Sequence, residues 1–394
     1  MRKTKRVAIA FQFRVSHMML TLRSVLAYGR RQGWTFDISP DTSNTPITVW
    51  NGWSGDGMLT LIETPAEARA AREMHIPVVN LSGVFRQTGL PRVMVDSEAM
   101  GRLAAEHLLE CGFRRFGYYG AKRVWYSQQR KKGFMDRIEA AGGECSVLDT
   151  ASDINTRRAW RHWQDPLEAW LGTLRPPVGV LTPTENRGMV LVQACLRLGL
   201  RVPHDVAVIG VSNCTEICEA CPVPLSSISR SAEEVGRRAA ELLDRLMAGQ
   251  APPTEDVLVP PDGVVQRAST DVLAVEDPHV AQAAHYVREH VEEVFGIERL
   301  LSVVPLSRQW LTRRFKESLG VAPYEFICRT RVRRAKQLLS GEKKLPMGQI
   351  SRACGFSEPR RFRLVFQRLT GMTPAEYRQQ QRLRKSPDAQ QAEP

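Results

Sequence analysis

Two stretches near the C-terminus place arginine and lysine where a polyanion could be bound. In Ser307–Leu319 the apolar residues Leu311, Phe315 and Leu319 recur at helical spacing and leave Arg308, Arg313 and Lys316 on the other side. In Glu358–Leu369 the same holds for Phe362, Phe366 and Leu369 against Arg360, Arg361, Arg363 and Gln367. Guanidinium groups match phosphate oxygens and the O6/N7 edge of guanine, so two basic helical faces point to nucleic acid. A second cluster is of another kind: Cys214, Cys218 and Cys221 have the C-x3-C-x2-C spacing that can hold an iron-sulfur cluster. This leaves open a redox or metal sensor, or an enzyme module, tethered to DNA. A segment rich in small residues before Pro222 accounts for the same cysteines without metal.

No other constellation suits catalysis. There is no P-loop, no G-x-S-x-G elbow and no H-E-x-x-H, and the pair Gly55 and Gly57 lacks the third glycine of a dinucleotide site. His204, His285 and His290 are isolated, and Glu233 and Glu234 fall in the first turn of a predicted helix, where its dipole accommodates them. The expectation is a non-enzyme with no cofactor and no metal.

Each basic stretch is positioned by a preceding helix and turn. Ile297–Val303 reads as a scaffold helix and Val304–Leu306 as a turn, with Ser307 capping the helix that follows through Lys316. Met347–Cys354 reads as a second scaffold, Gly355 as a turn that needs positive φ, and Pro359 as a first helical position. A bridging helix is predicted from about Pro323 to Leu339. The chain has 394 residues with 55 Lys+Arg and 42 Asp+Glu, and Pro278–Lys385 alone holds 22 and 9 of them. That segment thus carries the whole formal excess of +13, the electrostatic footprint of a DNA-binding region.

Upstream the pattern changes. From Arg6 to about Arg267, short apolar runs starting at Val7, Gly57, Ile76, Phe116, Val178 and Val206 alternate with helical stretches such as 97–111, 128–141, 186–198 and 232–247. Gly112, Gly142 and Gly199 stand where helices should end. Such alternation predicts an α/β architecture with a parallel sheet, in which ligands bind at the carboxyl ends of strands. The reading is therefore multi-domain: an α/β region over 1–267, a linker over 268–277, an all-α double helix-turn-helix domain over 278–380, and a disordered tail over 381–394. The chain has no run of about twenty apolar residues, its start is read as a first strand rather than a cleavable leader, and its eight cysteines are too sparse for a disulfide framework. A cytoplasmic, nucleoid-associated protein without a membrane segment is expected.

The residues of the C-terminal part resemble an AraC-family DNA-binding domain. The resemblance rests on S-x-x-x-L-x-R-x-F-K (Ser307, Leu311, Arg313, Phe315, Lys316), G-V-x-P (Gly320 to Pro323) and R-x-x-x-A-x-x-L-L (Arg331, Ala335, Leu338, Leu339). It continues through I-x-x-x-x-G-F (Ile350, Gly355, Phe356), F-x-x-x-F (Phe362, Phe366) and G-x-T-P-x-x-Y-R (Gly371, Thr373, Pro374, Tyr377, Arg378). It implies base-edge contacts by Gln309, Thr312 and Arg313 in the first recognition helix and by Arg360, Arg361 and Arg363 in the second. Ser307, Arg308 and Lys316 are assigned to phosphate. Leu364 stands where the family often has a polar residue and is left out of the set.

The α/β region is similar to the LacI-type, periplasmic-binding-protein-like effector core. The similarity is carried by Val93–Gly120, Q-R-K-K-G-F from Gln129, V-G-V-L-T-P-T-E-N-R from Val178, V-P-H-D-V-A-V-I-G-V-S-N from Val202 and the segment from Pro224. Joined in this order, the two parts resemble bacterial regulators of the xylose-operon type. The resemblance implies two Rossmann-like lobes with a small-molecule effector in the cleft, a homodimer, double-stranded operator DNA as partner and RNA polymerase as a further candidate. Arg130 matches an arginine that holds ligand hydroxyl or carboxylate groups, Glu185 falls where such cores often have Asp, and Ser212 with Asn213 replaces an Asp-led pair. Phe13, Trp53, Trp125 and Tyr126 are candidates to stack on a ring, with Phe13 and Trp125 preferred. Asp96 is read as a helix cap. The loss of the aspartate at Ser212 speaks against a neutral pentose or hexose, and the class of effector expected is a sugar or a sugar derivative from a carbohydrate-catabolism operon.

Overall fold

The computed structural model describes residues 4–12, 16–38, 47–151, 161–275, 277–340 and 345–385. Phe13 and residues 386–394 of the expected tail lie outside them. The chain divides into two compact units, Met1–Val272 and Leu273–Pro394.

The first unit begins with β1 (Arg6–Ala10), α1 (Ser16–Arg31), β2 (Thr35–Ile38), β3 (Gly57–Thr60), α2 (Pro65–Glu73), β4 (Val78–Asn80) and β5 (Val93–Val95). β1, β3, β4 and β5 are short apolar runs buried on both faces, as parallel strands covered by helices must be, whereas β2 at the sheet edge is partly exposed. They pair in the order β2-β1-β3-β4, all parallel.

Asp96 then caps α3 (Ser97–Glu110), its carboxylate accepting from the Ala99 N–H at 2.9 Å, as read from sequence. A second lobe follows: β6 (Arg115–Lys122), α4 (Trp125–Glu139), β7 (Glu144–Ala151), α5 (Arg161–Thr173), β8 (Val178–Leu181), α6 (Glu185–Arg197), β9 (Val206–Ser212), α7 (Thr215–Ala220) and β10 (Ser226–Ser229). The chain returns to the first lobe as α8 (Ala232–Met247), which packs on α1, and β11 (Val257–Val259), which pairs with β5. It ends as β12 (Gly263–Val265), antiparallel to β10. The second sheet has the order β12-β10-β9-β8-β6-β7. Two lobes joined by crossing segments at 96, 230 and 260–262 are thus built from alternating strands and helices, in agreement with the expected α/β class. Gly112, Gly142 and Gly199 take positive φ at helix ends.

One close approach fixes the helix that matters most for the cleft. α4 lies against α3 at Gly101 and Gly133: a Cβ on Gly101 would stand 2.0 Å from the carbonyl oxygen of Arg130, and one on Gly133 2.0 Å from that of Glu98. Any side chain there would push Arg130 away from its place.

Two residues expected in the linker belong instead to the first unit. Ser269 and Thr270 are fully buried, and the Thr270 hydroxyl stands 2.7 Å from Ser226 Oγ and 2.8 Å from His107 Nε2. Leu273 and Val275, by contrast, pack on the core of the second unit.

The second unit is all-α: α9 (Pro278–Glu289), α10 (Ile297–Val303), α11 (Arg308–Leu319), α12 (Pro323–Ser340), α13 (Met347–Ala353), α14 (Pro359–Thr370) and α15 (Pro374–Lys385). Leu311, Phe315 and Leu319 of α11 close one core with α9 and α10; Phe362 and Phe366 of α14 close another with α12 and α13. α11 and α14 are each 12 residues long, each ends at a left-handed glycine (Gly320, φ 73°; Gly371, φ 77°), and each is followed by a helix opening on proline, Pro323 or Pro374. α15 runs to Lys385, so the first five residues of the expected tail are helical, continuing the good helix formers Gln379 to Arg382.

Candidate effector cleft and nucleic-acid interface

The carboxyl ends of β6, β8, β9 and β10 converge at one edge of the second sheet, and four residues singled out in the sequence stand there. Glu185, 3% exposed, opens α6 after β8; its Oε1 accepts from the Asn213 N–H at 2.5 Å and the Ser227 hydroxyl at 2.6 Å. Burial pushes its carboxyl pKa up, against the pull of those donors and of Arg130. Ser212 ends β9 and Asn213 follows it, with φ of 120° and 55°, left-handed values that cost energy in residues other than glycine. Asn213 is clamped from its other side by Arg267, whose Nη2 donates to Asn213 Oδ1 at 2.9 Å. Arg130, 4% exposed on α4, donates to the Pro183 carbonyl and lies 4.6 Å over the Tyr126 ring.

The first lobe meets this edge at α1 and at the segment after β4. The Ser16 hydroxyl donates to Glu216 at 2.8 Å and lies 3.4 Å from Cys214 Sγ, while the N–H groups of Trp125 and Tyr126 donate to the carbonyls of Val84 and Gly83 at 3.0 and 2.9 Å. His17 faces the arginines: burial first, then the charges of Arg230 and Arg130, lower its pKa to about 2. Arg230, in the crossing segment after β10, has its own pKa lowered to about 10 by burial and then by the charge of Arg130.

Arg130, Glu185, Ser212 and Asn213 are thus brought to one edge. The aromatic beside Arg130 is Tyr126, since one face of Trp125 is covered by the Arg92 guanidinium at 4.6 Å. Trp53 is engaged elsewhere, its Nε1 donating to Asp37 at 2.7 Å. His17, Arg230, Ser227 and Arg267 escaped the sequence reading. Arg230 follows Ser-Ser-Ile-Ser, a strand too polar to register as one, and that strand was the missing signal.

The cysteines offer no metal site. Cys214 caps α7, Cys218 and Cys221 are buried in the hydrophobic core of the second lobe, and burial pushes the Cys218 thiol up to about 12. Among the described residues no three His, Cys, Asp or Glu side chains are grouped to hold a metal ion.

On the second unit both recognition helices present their basic faces outward. Ser307 caps α11, its hydroxyl accepting from the Trp310 N–H at 3.3 Å, and Gly355 takes φ 69° in the second turn. Ser307, Arg308, Gln309, Arg313 and Lys316 are exposed, Thr312 is half-buried, and Arg360, Arg361 and Arg363 are exposed on α14. Several cations are pre-positioned: Arg308 pairs with Glu298, Arg313 with Glu317 at 2.8 Å, and Arg361 donates to the Tyr324 hydroxyl at 2.7 Å. Trp310 (52% exposed) and Leu364 (59%) are large apolar residues left on these faces. Among the described residues no helix is long and apolar enough to cross a membrane.

A periplasmic binding protein-like domain is matched over residues 105–270 and a helix-turn-helix domain over 300–380. The xylose operon regulatory protein of Escherichia coli (strain K12) is 31% identical over 337 residues, covering 83% of this chain and 84% of that one. That of Haemophilus influenzae is 28% identical over 335 residues, 83% and 86% of the two chains. A solved structure described as a xylose-binding transcription activator aligns over 96% of this chain and 98% of its own, at 28% identity and a TM-score of 0.61. With its two-lobed effector domain followed by a double helix-turn-helix of AraC type, the chain belongs to the family of the xylose operon regulatory proteins, DNA-binding transcription regulators that respond to a small ligand.

Proposed function

We propose that the edge formed by Arg130, Glu185, Ser212 and Asn213, closed over by α1, is the effector site, and that a sugar or sugar derivative bound there changes operator affinity. The observation that carries this reading is that buried Arg130 and Glu185 stand with half-buried Asn213, whose N–H donates to Glu185, at the strand ends of one chain that also bears two outward basic helices. The names of the relatives, a xylose operon regulator and a xylose-binding activator, point the same way. Ligand favouring the closed lobes would shift a pre-existing equilibrium and pass to DNA through a homodimer, with RNA polymerase as the downstream partner and the cytoplasm as the compartment.

On DNA, Gln309, Thr312 and Arg313 from α11 and Arg360, Arg361 and Arg363 from α14 are proposed to read bases, with Ser307, Arg308 and Lys316 on phosphates. The two helices would enter successive major-groove segments roughly 34 Å apart. The test is a thermal-shift screen of the full-length protein against sugars, sugar acids and polyols, followed by operator binding with each hit. A ligand at a hundred times its Kd stabilises by about 2.7 kcal/mol. Arg130→Gln should abolish the ligand response and leave ligand-free operator affinity intact; an unchanged response removes Arg130 from the site.

A further inference from the structure

Two arginines of α11 share one indole. The guanidinium carbon of Arg313 stands 5.6 Å from the centre of the Trp310 ring and that of Arg314 5.8 Å, contacts made across one helical turn. Each guanidinium is also held by an acid: Arg313 Nε donates to Glu317 Oε1 at 2.8 Å, and Arg314 pairs with Asp277 at 2.5 Å. Asp277 is itself fixed, because its carboxylate caps α9 by accepting from the His279 and Val280 N–H groups. A continuous set of contacts thus runs from the start of α9 through Arg314 and Trp310 to Arg313 and Glu317.

The ring at the middle of this set does not serve the core. Trp310 is the third residue of α11 and 52% exposed, whereas Leu311, Phe315 and Leu319 of the same helix close the core with α9 and α10. Helical periodicity puts Gln309 and Thr312 on one flank of Arg313 and Trp310 on the other. A long arginine side chain can swing between a base edge and a phosphate, and it reads sequence only when it is held. An exposed cation–π pair holds weakly, but it strengthens where water is removed, as happens when a helix enters a groove. We infer that Trp310 is a positioning residue for Arg313: its ring braces the guanidinium and so sets the base preference of the first half-site. The inference rests on the reading of Arg313 as a base contact and deepens it.

The experiment is binding-site selection from a randomised duplex library with the full-length protein and its Arg313→Ala, Trp310→Ala and Trp310→Phe variants, with thermal midpoints measured alongside. Arg313→Ala should lose the guanine preference at one position of the selected motif. Expected of Trp310→Ala is a loss of about fivefold or more in guanine preference at that same position, the scale of a desolvated cation–π contact. The rest of the motif, the salt dependence and the thermal midpoint should stay as in the wild type, since no charge and no core residue is removed. Trp310→Phe keeps a ring and should restore the preference to within about twofold. Trp310→Ala added to Arg313→Ala should change nothing further at that position. A full guanine preference in Trp310→Ala, beside its loss in Arg313→Ala, overturns the inference and leaves the base reading standing. An even weakening of all sequences by Trp310→Ala also overturns it and makes Trp310 a backbone contact, and so does a Trp310→Phe variant that loses the preference as Trp310→Ala does. An unchanged motif in Arg313→Ala overturns the base reading, and the inference with it. Trp310→Gln, ringless and suited to an exposed helix position, decides the same outcomes if Trp310→Ala fails to fold.

Discussion

Arg313 and Leu364 occupy the same station of the two recognition helices, each the sixth residue of its helix, counted from Arg308 in α11 and Pro359 in α14. The matching positions pair Gln309 with Arg360 and Thr312 with Arg363, while Arg361 pairs with Trp310 and is tied to Tyr324. The two halves therefore offer different chemistry at one station: a guanidinium able to bond guanine O6 and N7 in the first, an apolar group suited to a thymine methyl in the second. Arg313→Ala should relax a guanine preference in its half-site, with a loss of about 1–3 kcal/mol of discrimination. Leu364→Arg should bring guanine preference into the other half, and Lys316→Ala should weaken all sequences alike and lower the salt dependence. Binding-site selection on the four proteins reads this directly. Unchanged selected motifs in both Arg313→Ala and Leu364→Arg would show that this station does not face bases.

A second expectation concerns the turn before α14. A Cβ on Gly355 would stand 2.5 Å from the Glu293 carbonyl oxygen and 2.6 Å from that of Val291, at φ 69°, whereas Gly371, at φ 77°, has nothing within 4 Å. Gly371→Ala should cost only the left-handed strain, about 1–2 kcal/mol. Gly355→Ala adds a backbone collision and should cost at least about 3 kcal/mol, with loss of DNA binding. Denaturant unfolding of both variants checks this, and equal costs would mean the turn can open without penalty.

How much of this was legible in the sequence follows from what each residue advertises. Val206–Ser212 and Val178–Leu181 are apolar runs and read at once as strands; β10 is Ser-Ser-Ile-Ser, with Ser226 and Ser227 fully buried on hydroxyl hydrogen bonds that no hydrophobic pattern reports. β7, at a sheet edge, has no fully buried residue, so its period is blurred. The helix-turn-helix units were readable because caps, glycines and apolar spacing are local. Arg130 and Glu185 came from resemblance, but His17 and Arg230 meet Arg130 only through the folding of two lobes, and nothing in their local sequence marks that meeting.

His17 makes the first unit sensitive to acid. Its folded pKa lies near 2 against about 6.5 when unfolded, so the unfolded chain takes the proton more readily. The stabilising effect of the neutral ring is complete above pH 6.5 and is lost as pH falls below it, by at most about 1.4 kcal/mol per pH unit. Thermal midpoints measured from pH 7 to pH 5 should fall, and His17→Gln should flatten that slope. A slope that stays the same in the variant assigns the acid sensitivity to other groups.

The second unit should work without the first, provided it is cut in the right place. Its cores are closed by its own residues, and Asp277 both caps α9, accepting from His279 and Val280 N–H at 2.9 and 3.1 Å, and pairs with Arg314 of α11 at 2.5 Å. Leu273 and Val275 also pack on that core, so a fragment beginning at Asp277 keeps the cap but uncovers apolar surface. A fragment from Leu273 should fold and be more stable than one from Asp277 by about 1–2 kcal/mol, the scale of burying part of two aliphatic side chains. It should bind DNA without any effector, and its affinity should fall steeply with salt because each phosphate contact releases counterions. Both fragments can be compared by urea unfolding and by fluorescence anisotropy on duplex DNA at two ionic strengths. A folded fragment from Leu273 that shows no affinity at low salt would place DNA binding outside this unit, because its Pro278–Lys385 segment already carries the whole +13 excess.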